Sequence, residues 1–307
     1  MTAGLVFDAV LGLLVLGIAA WTVAARQTFA AVAGFVAFGL LVAVVWVRLA
    51  AVDVALTEAA IGSGVTGAVL IAAAGRLGAG SGGRPAATGA VAAALSGAVA
   101  CAVAGLVLLA PDPAPTLAPQ AAAHLSVFGV GNAVTAVLLG YRSLDTLLEK
   151  IVMLLAVMGV WSLARDRSRG GRPALRTYPD GALVLLARLL PPAGIVVAVY
   201  LLWVGAEKPG GAFQGAAILA AMWLIVMLAG LLPPPQTGGR GLRLALAAGP
   251  AAFIAVGLAG FALPGGFLSY PDGFAKPVII AVEILLMLSV AVVLGLLVLG
   301  PPAQGRR

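Results

Sequence analysis

Residues 131–150 read Gly131-Asn132-Ala133-Val134-Thr135-Ala136-Val137-Leu138-Leu139-Gly140-Tyr141-Arg142-Ser143-Leu144-Asp145-Thr146-Leu147-Leu148-Glu149-Lys150. A short apolar run passes into a charged turn and then directly into a long apolar helix. If the segment is helical, Arg142, Asp145 and Glu149 share one face, because they are three and four residues apart. Lys150 borders that face. The four formal charges cancel, so this charged cluster can lie at a membrane boundary where a single charge would be costly.

The charged cluster has two interpretations, and the sequence leaves both open. Basic and acidic residues often end membrane helices, which makes an interfacial anchor one interpretation. The other is a functional role, in which Arg142, Asp145 and Glu149 act as one electrostatic unit. Removing one member would then leave an unpaired charge in a poorly solvated place.

The composition is that of a polytopic membrane protein. The 307 residues are 62% hydrophobic and 9% charged, with a mean hydropathy of +1.14, whereas soluble domains carry about 25% charged residues. The first apolar run is long enough to span and follows no basic region, so we expect an anchor rather than a cleaved signal. We therefore interpret the net charge of +7 through membrane topology and expect no nucleic-acid partner.

Few residues are available for metal binding or nucleophilic catalysis. Cys101 and His124 are the single cysteine and histidine, too few for a Cys/His metal site. Ser63 lies between two glycines, and packing of small residues explains it better than catalysis. We expect no enzymatic activity, no metal centre and no cofactor.

The apolar runs predict an all-α fold with nine membrane spans. Their approximate bounds are 4–25, 29–47, 53–75, 87–110, 144–164, 181–204, from the glycine turn to 232, 244–263 and 277–299. The run 126–139 is too short to cross a bilayer, which takes about 20 helical residues. We expect this run to be an interfacial or re-entrant segment.

The basic residues predict the orientation. With the carboxyl terminus in the cytoplasm, that side holds Arg26, Arg76, Arg84, Arg165, Arg167, Arg169, Arg172, Arg176, Arg240, Arg243, Arg306 and Arg307. The outer side holds Arg48, Arg142, Lys208 and Lys276. This asymmetry follows the positive-inside rule and predicts an amino terminus outside.

Four residues within predicted spans are candidates for a proton or cation path. Glu58 lies more than a turn inside the third span, where its charged form needs water, a cation or a positive partner. Asp53 and Thr57 share a face, and Glu58 is turned away from it. Glu283 is the second isolated acid, in the ninth span. For both glutamates the alternative is a structural acid bonded to a neighbouring helix.

A glycine turn precedes the seventh span. It contains Pro209, Gly210 and Gly211, followed by Gln214 and Gly215. Such a turn can bring backbone N–H groups to a helix start, a place suited to anions or carboxylates. A purely structural turn is the alternative.

Two parts of the chain resemble one family of membrane complexes. Residues 1 to about 78, with the string Arg48-Leu49-Ala50-Ala51-Val52-Asp53-Val54-Ala55-Leu56-Thr57-Glu58, resemble the three-span module of energy-converting hydrogenase membrane arms. The same module occurs near the end of the A subunit of Mrp-type cation/proton antiporters. The remainder resembles the antiporter B subunit through Asn132-Ala133-Val134-Thr135-Ala136-Val137, Tyr141-Arg142-Ser143-Leu144-Asp145-Thr146-Leu147-Leu148-Glu149 and Pro209-Gly210-Gly211-Ala212-Phe213-Gln214-Gly215. We therefore expect a three-span region, 1–78, and a six-span region, 79–307, joined by a flexible linker over 75–85.

The resemblance implies a subunit of a multi-subunit complex that couples cation (Na+) and proton movement in a prokaryotic plasma membrane. It implies other membrane subunits as partners and a place at the cation/proton path and the subunit interface. One alternative is a structural assembly subunit of a membrane-bound hydrogenase-like or respiratory complex. A free-standing transporter is a further alternative, against which nine spans argue because inverted halves need equal span numbers.

Overall fold

A computed structural model describes residues 2–77, 86–111, 116–164, 168, 170–179 and 181–303. These residues are predominantly helical. Residues 78–85, including the predicted boundary between regions, lie outside the described residues, as do Asp112 and three arginines of the basic loop, Arg165, Arg167 and Arg169.

The first 77 residues form a three-helix unit. Helices α1 (Thr2–Ala24) and α2 (Thr28–Arg48) pack against each other, with Arg48 bound to Asp8. The third helix consists of α3 (Val52–Thr57), a π-helical segment (Glu58–Val65) and α4 (Thr66–Leu77), and α2 packs against all three pieces. π-Helical turns are rare in proteins, and those that occur often lie at functional sites. The π-helical segment of this chain begins at Glu58.

Helix α5 (Ala86–Leu109) differs from the others because its described side chains are exposed along nearly its whole length. Short helical pieces follow it: α6 (Ala118–Ala123), a 3-10 turn (Leu125–Val127), α7 (Ala133–Ala136) and a π-helical turn (Val137–Tyr141). The predicted short segment 126–139 therefore consists of the end of the 3-10 turn, a loop, α7 and the start of the π-helical turn.

Five longer helices complete the chain: α8 (Ser143–Ser162), α9 (Gly181–Val204), α10 (Ala212–Leu228), α11 (Arg240–Ala259) and α12 (Ala275–Leu299). Helix α12 lies at their centre and packs against each of the other four. Its buried residues belong to three hydrophobic clusters. Side chains that α12 directs into the bundle are therefore shielded from solvent on several sides.

Seven helices in the described part of the chain are long and apolar enough to cross a membrane. They comprise α1, α2, the α3–α4 helix, α5, α9, α11 with the 3-10 turn that follows it, and α12. The other two predicted spans correspond to α8 and α10. Helix α10 has 17 residues, fewer than the about 20 that a span takes. Helix α8 carries Asp145, Glu149 and Lys150, which lower its hydropathy.

Contacts between helix ends define two ends of the bundle. At one end, Gly211 N donates to Leu201 O and Lys276 pairs with Glu207, which brings together the end of α9 and the starts of α10 and α12. We name this the glycine-turn end. At the other end, Tyr178 N donates to Leu228 O.

Candidate functional site

A cavity of about 530 Å³ lies between the three-helix unit and the later helices. Its walls come from α3, the first π-helical segment, α7 and the π-helical turn after it, α8, α10 and α12. Most lining residues are apolar. The polar and charged ones are Asp53, Thr57, Thr135, Thr146, Glu149, Lys150, Gln214 and Glu283. We name this space the inter-region cavity.

Hydrogen bonds join the two regions at the edge of the inter-region cavity. Gly210 N donates to Asp53 Oδ1 over 3.0 Å, and Gln214 Nε2 donates to Thr57 Oγ1 over 2.9 Å. The Thr57 hydroxyl in turn donates to the Asp53 carbonyl oxygen. The face of α3 that carries Asp53 and Thr57 thus contacts the glycine turn and the first turn of α10.

The glycine turn has a conformation that requires glycine. Gly210 and Gly211 have φ values of +154° and +132°, which L-residues with side chains rarely adopt. A β-carbon on Gly210 would lie 2.6 Å from Leu201 O. The turn therefore packs closely on the end of α9 and directs the Gly210 N–H toward Asp53. Gly215 allows α10 an equally close approach to α9, at Ala198.

Asn132 connects α7 to Asp53 and to the glycine turn, although the sequence pattern did not predict it as a site residue. Its Oδ1 accepts from Val134 N and caps α7, while its Nδ2 donates to Lys208 O and contacts Asp53 Oδ1 at 3.4 Å. Thr135 Oγ1 adds a bond to Gly205 O. The sequence signal for this role is an asparagine directly before an apolar helical run, which is typical of a helix N-cap.

A lysine and a glutamate are buried beside each other in the inter-region cavity. Lys150 is 3% exposed, with Nζ 3.4 Å from Glu149 Oε2 and 3.3 Å from the centre of the Phe213 ring. Glu283 is 5% exposed, and its Oε2 has no hydrogen-bond partner among the described residues. Lys150 and Glu283 thus both line the cavity, although Glu149 is the ion-pair partner of Lys150.

The structure divides the charged cluster into two pairs. Arg142 precedes α8 with a non-helical φ of −127°, so the helical face predicted for Arg142, Asp145 and Glu149 is wrong at Arg142. Arg142 and Asp145 form a pair at 2.5 Å whose side chains are 71% and 53% exposed. Glu149 and Lys150 instead line the inter-region cavity.

Glu58 lies apart from this cavity, on the side of its helix that faces α2. A β-carbon on Gly39 of α2 would lie 2.9 Å from Glu58 Oε1, and one on Gly62 would lie 2.4 Å from the same atom. The carboxyl group therefore occupies a seam between α2 and the π-helical segment, where two glycines leave space for it.

Side chains satisfy two carbonyl groups of the π-helical turn that borders the cavity. Thr146 Oγ1 donates to Leu138 O at 2.5 Å, and Tyr270 OH donates to Leu139 O at 2.6 Å. Burial, and secondarily the negative charge of Glu283, raises the pKa of the Tyr270 phenol to about 12. Tyr270 therefore remains a donor at neutral pH and holds the turn in place beside α12.

Two regions match known families. Residues 13–79 match the family described as MbhD, a subunit of MBH. Residues 182–301 match the domain related to the MnhB subunit of a Na+/H+ antiporter. No curated protein sequence matches the chain significantly.

Two solved structures are similar to the chain. A chain of the Mrp complex from Dietzia sp. DQ12-45-1b is 26% identical, with a TM-score of 0.77 and coverage of 97% of this chain and 35% of that one. A chain of the membrane-bound sulfane sulfur reductase, an archaeal respiratory complex, is 26% identical, with a TM-score of 0.55 and coverage of 69% and 97%. This chain thus spans about a third of the Mrp chain. Together, the matches show that the chain joins an MbhD-related region, residues 13–79, to a MnhB-related region, residues 182–301.

Proposed function

We propose that the chain is a membrane subunit of a multi-subunit cation/proton antiporter-type complex, with Na+ as the first candidate cation. The inter-region cavity forms part of the cation or proton path. One observation carries this proposal: Asp53 from the first region and Glu283 with Lys150 from the second face one cavity. Ionisable residues inside membrane proteins are costly, and they mark ion pathways by default.

The chemistry of the cavity suits the exchange of small cations. Asp53, Thr57 and Gln214 supply oxygen atoms near the glycine-turn end. The buried Glu283 carboxyl group lies beside the same turn, with Oε1 3.8 Å from the position that a β-carbon on Gly211 would take. Lys150 balances the acids when the cavity holds no cation. Because hard cations prefer oxygen ligands, a cation that reaches Glu283 competes with the Lys150 ammonium group for the same negative charge.

We also propose that all nine predicted helices cross the membrane, with regions 1–78 and 79–307 as the two units. This makes α8 and α10 spans in addition to the seven above. Arg172, Arg176, Arg240 and Arg243 lie toward the end opposite the glycine turn, by the bounds of α8 to α11. The positive-inside rule then puts that end and the carboxyl terminus in the cytoplasm, and the amino terminus outside.

Replacing Glu283 tests the proposed path. Glu283→Gln keeps the shape and hydrogen-bonding capacity but removes the titratable charge, so we expect normal assembly and reduced Na+-dependent proton flux. The measurement is the Na+-induced collapse of a pH gradient in vesicles that contain the whole complex, followed with a pH-sensitive dye. Asp272→Asn is the matched control, because Asp272 is exposed between α11 and α12.

Unchanged flux in Glu283→Gln across a series of Na+ concentrations would contradict the proposed path. A structural assembly subunit of a membrane-bound hydrogenase-like or respiratory complex would then be favoured. The specific observation for this second candidate is the similarity to a chain of the archaeal respiratory complex, 97% of which is covered. In both candidates we propose that the chain itself is not an enzyme.

A further inference from the structure

Ser63 is a buried hydroxyl group that the inter-region cavity does not explain. Its side chain is 1% exposed, and Ser63 Oγ has no hydrogen-bond partner among the described residues. A buried polar group without a partner is unfavourable, and an ion or a water molecule is one of the few explanations for it. The packing of small residues that the sequence indicated leaves this oxygen unexplained.

The Ser63 hydroxyl and the Glu58 carboxyl group lie at the same point of the seam with α2. The position that a β-carbon on Gly39 would take is 2.2 Å from Ser63 Oγ and 2.9 Å from Glu58 Oε1. Two oxygen atoms of different chemistry are therefore directed at one glycine on the facing helix. The π-helical segment from Glu58 to Val65 carries both residues.

Among the described side chains of α2 and α10, the two separate helices that pack against the π-helical segment, no cation is available to neutralise Glu58. Helix α10, which packs against the π-helical segment, contains no charged residue. Helix α2 contains one, Arg48, and its guanidinium group binds Asp8. A charged carboxylate in this seam therefore needs a bound cation or water.

We propose that Glu58 and Ser63 together bind a monovalent cation of the Na+ type in the seam between α2 and the π-helical segment. One carboxylate supplies one negative charge, which matches a monovalent ion, and the hydroxyl supplies a neutral hard oxygen. Backbone carbonyl groups or water complete the coordination. The inference rests on the proposed function in one respect, since the ion is one that the complex transports.

Protection of Glu58 from an apolar carbodiimide tests this site. The reagent modifies protonated carboxyl groups, and mass spectrometry detects the adduct on the peptide that contains Glu58. In membranes that contain the whole complex, we expect NaCl to slow the modification relative to choline chloride at the same pH and ionic strength. Glu58→Gln serves to assign the adduct.

The Ser63→Ala variant tests the second ligand. We expect the Na+ concentration for half-protection to rise about tenfold, which corresponds to roughly 1.4 kcal/mol of lost binding energy. The rate of modification without Na+ should stay unchanged, which shows that the seam is intact. Ser96→Ala on the exposed α5 is the matched control and should leave protection as it is.

Two results would overturn the site. Absence of Na+ protection in the natural chain would mean that the seam holds no cation, and equal protection in Ser63→Ala would remove Ser63 as a ligand. Neither result depends on flux. Lowered flux in Glu283→Gln with no protection of Glu58 would refute only this inference, whereas protection with unchanged flux would refute only the proposed path.

Discussion

Two acids within predicted spans, the half-buried Glu58 and the buried Glu283, lie in contrasting surroundings. Glu283 faces a cavity between two regions, together with Lys150 and the polar first turn of α10. Glu58 faces a seam inside the first region, next to two glycines and a serine hydroxyl. One acid has a built-in positive charge nearby, and the other has space and a neutral oxygen. An acid within a predicted span can therefore belong to either kind of environment.

The difference has an energetic consequence. A buried charge is costly without compensation, and the buried Lys150 has Glu149 as its ion-pair partner and Glu283 in the same cavity. At Glu58 the neighbours are uncharged, so substitutions there act mainly through packing and ligand geometry. The following predictions use this difference, from the largest expected effect to the smallest.

Lys150→Met should destabilise the protein most. The variant leaves Glu149 without its ion-pair partner and removes the ammonium group from the cavity that Glu283 lines, and we expect a loss of about 3 kcal/mol. The measurement is the thermal midpoint of the detergent-solubilised complex, followed by size-exclusion chromatography. The double variant Lys150→Met/Glu283→Gln removes both charges and should recover most of the loss. Additive losses in the double variant would show that the two groups are not coupled.

Gly39→Ala should have an intermediate effect. The added β-carbon would lie 2.2 Å from Ser63 Oγ, and overpacking of this kind typically costs about 1–3 kcal/mol. Gly17→Ala on α1 is the matched control, because a β-carbon there would meet nothing within 4 Å. The combination Gly39→Ala/Ser63→Gly should restore the thermal midpoint. Equal midpoints for Gly39→Ala and Gly17→Ala would contradict the close seam.

Asp145→Ala should have the smallest effect. The pair with Arg142 is exposed on both sides, and exposed ion pairs contribute about 0–1 kcal/mol. The thermal midpoint and the yield of assembled complex should therefore stay close to those of the natural chain. A loss as large as that of Lys150→Met would instead support the prediction that Arg142, Asp145 and Glu149 act as one electrostatic unit.

Helix positions could be predicted from the sequence more readily than contacts between helices. The predicted span 181–204 coincides with α9, and the other spans differ from the helices by a few residues. The reason is local: an apolar run of about 20 residues forms a helix in which every backbone group is satisfied internally. The count of nine spans stays a prediction, because charged residues lower the hydropathy of α8 and α10 is short.

Within the candidate site, the sequence predicted single faces but could not predict which faces meet. Asp53 and Thr57 share a face because they are four residues apart, and both line the inter-region cavity. Nothing in that spacing indicates that Gly210 and Gln214, far along the chain, supply their hydrogen bonds. Arg142 was misplaced because the π-helical turn ends just before it, so the helical wheel does not extend to this residue.

The sequence by itself determined the helical membrane fold, the acids inside it and the resemblance to Mrp-type subunits, since these depend on composition, local periodicity and short strings of residues. The tertiary structure decided that Lys150 and Glu283 share a cavity with Asp53, and that Glu58 faces Ser63 and Gly39 instead. Charges separated along the chain become partners only through the packing of helices. That packing depends on the shapes of many side chains at once, and no local pattern encodes it.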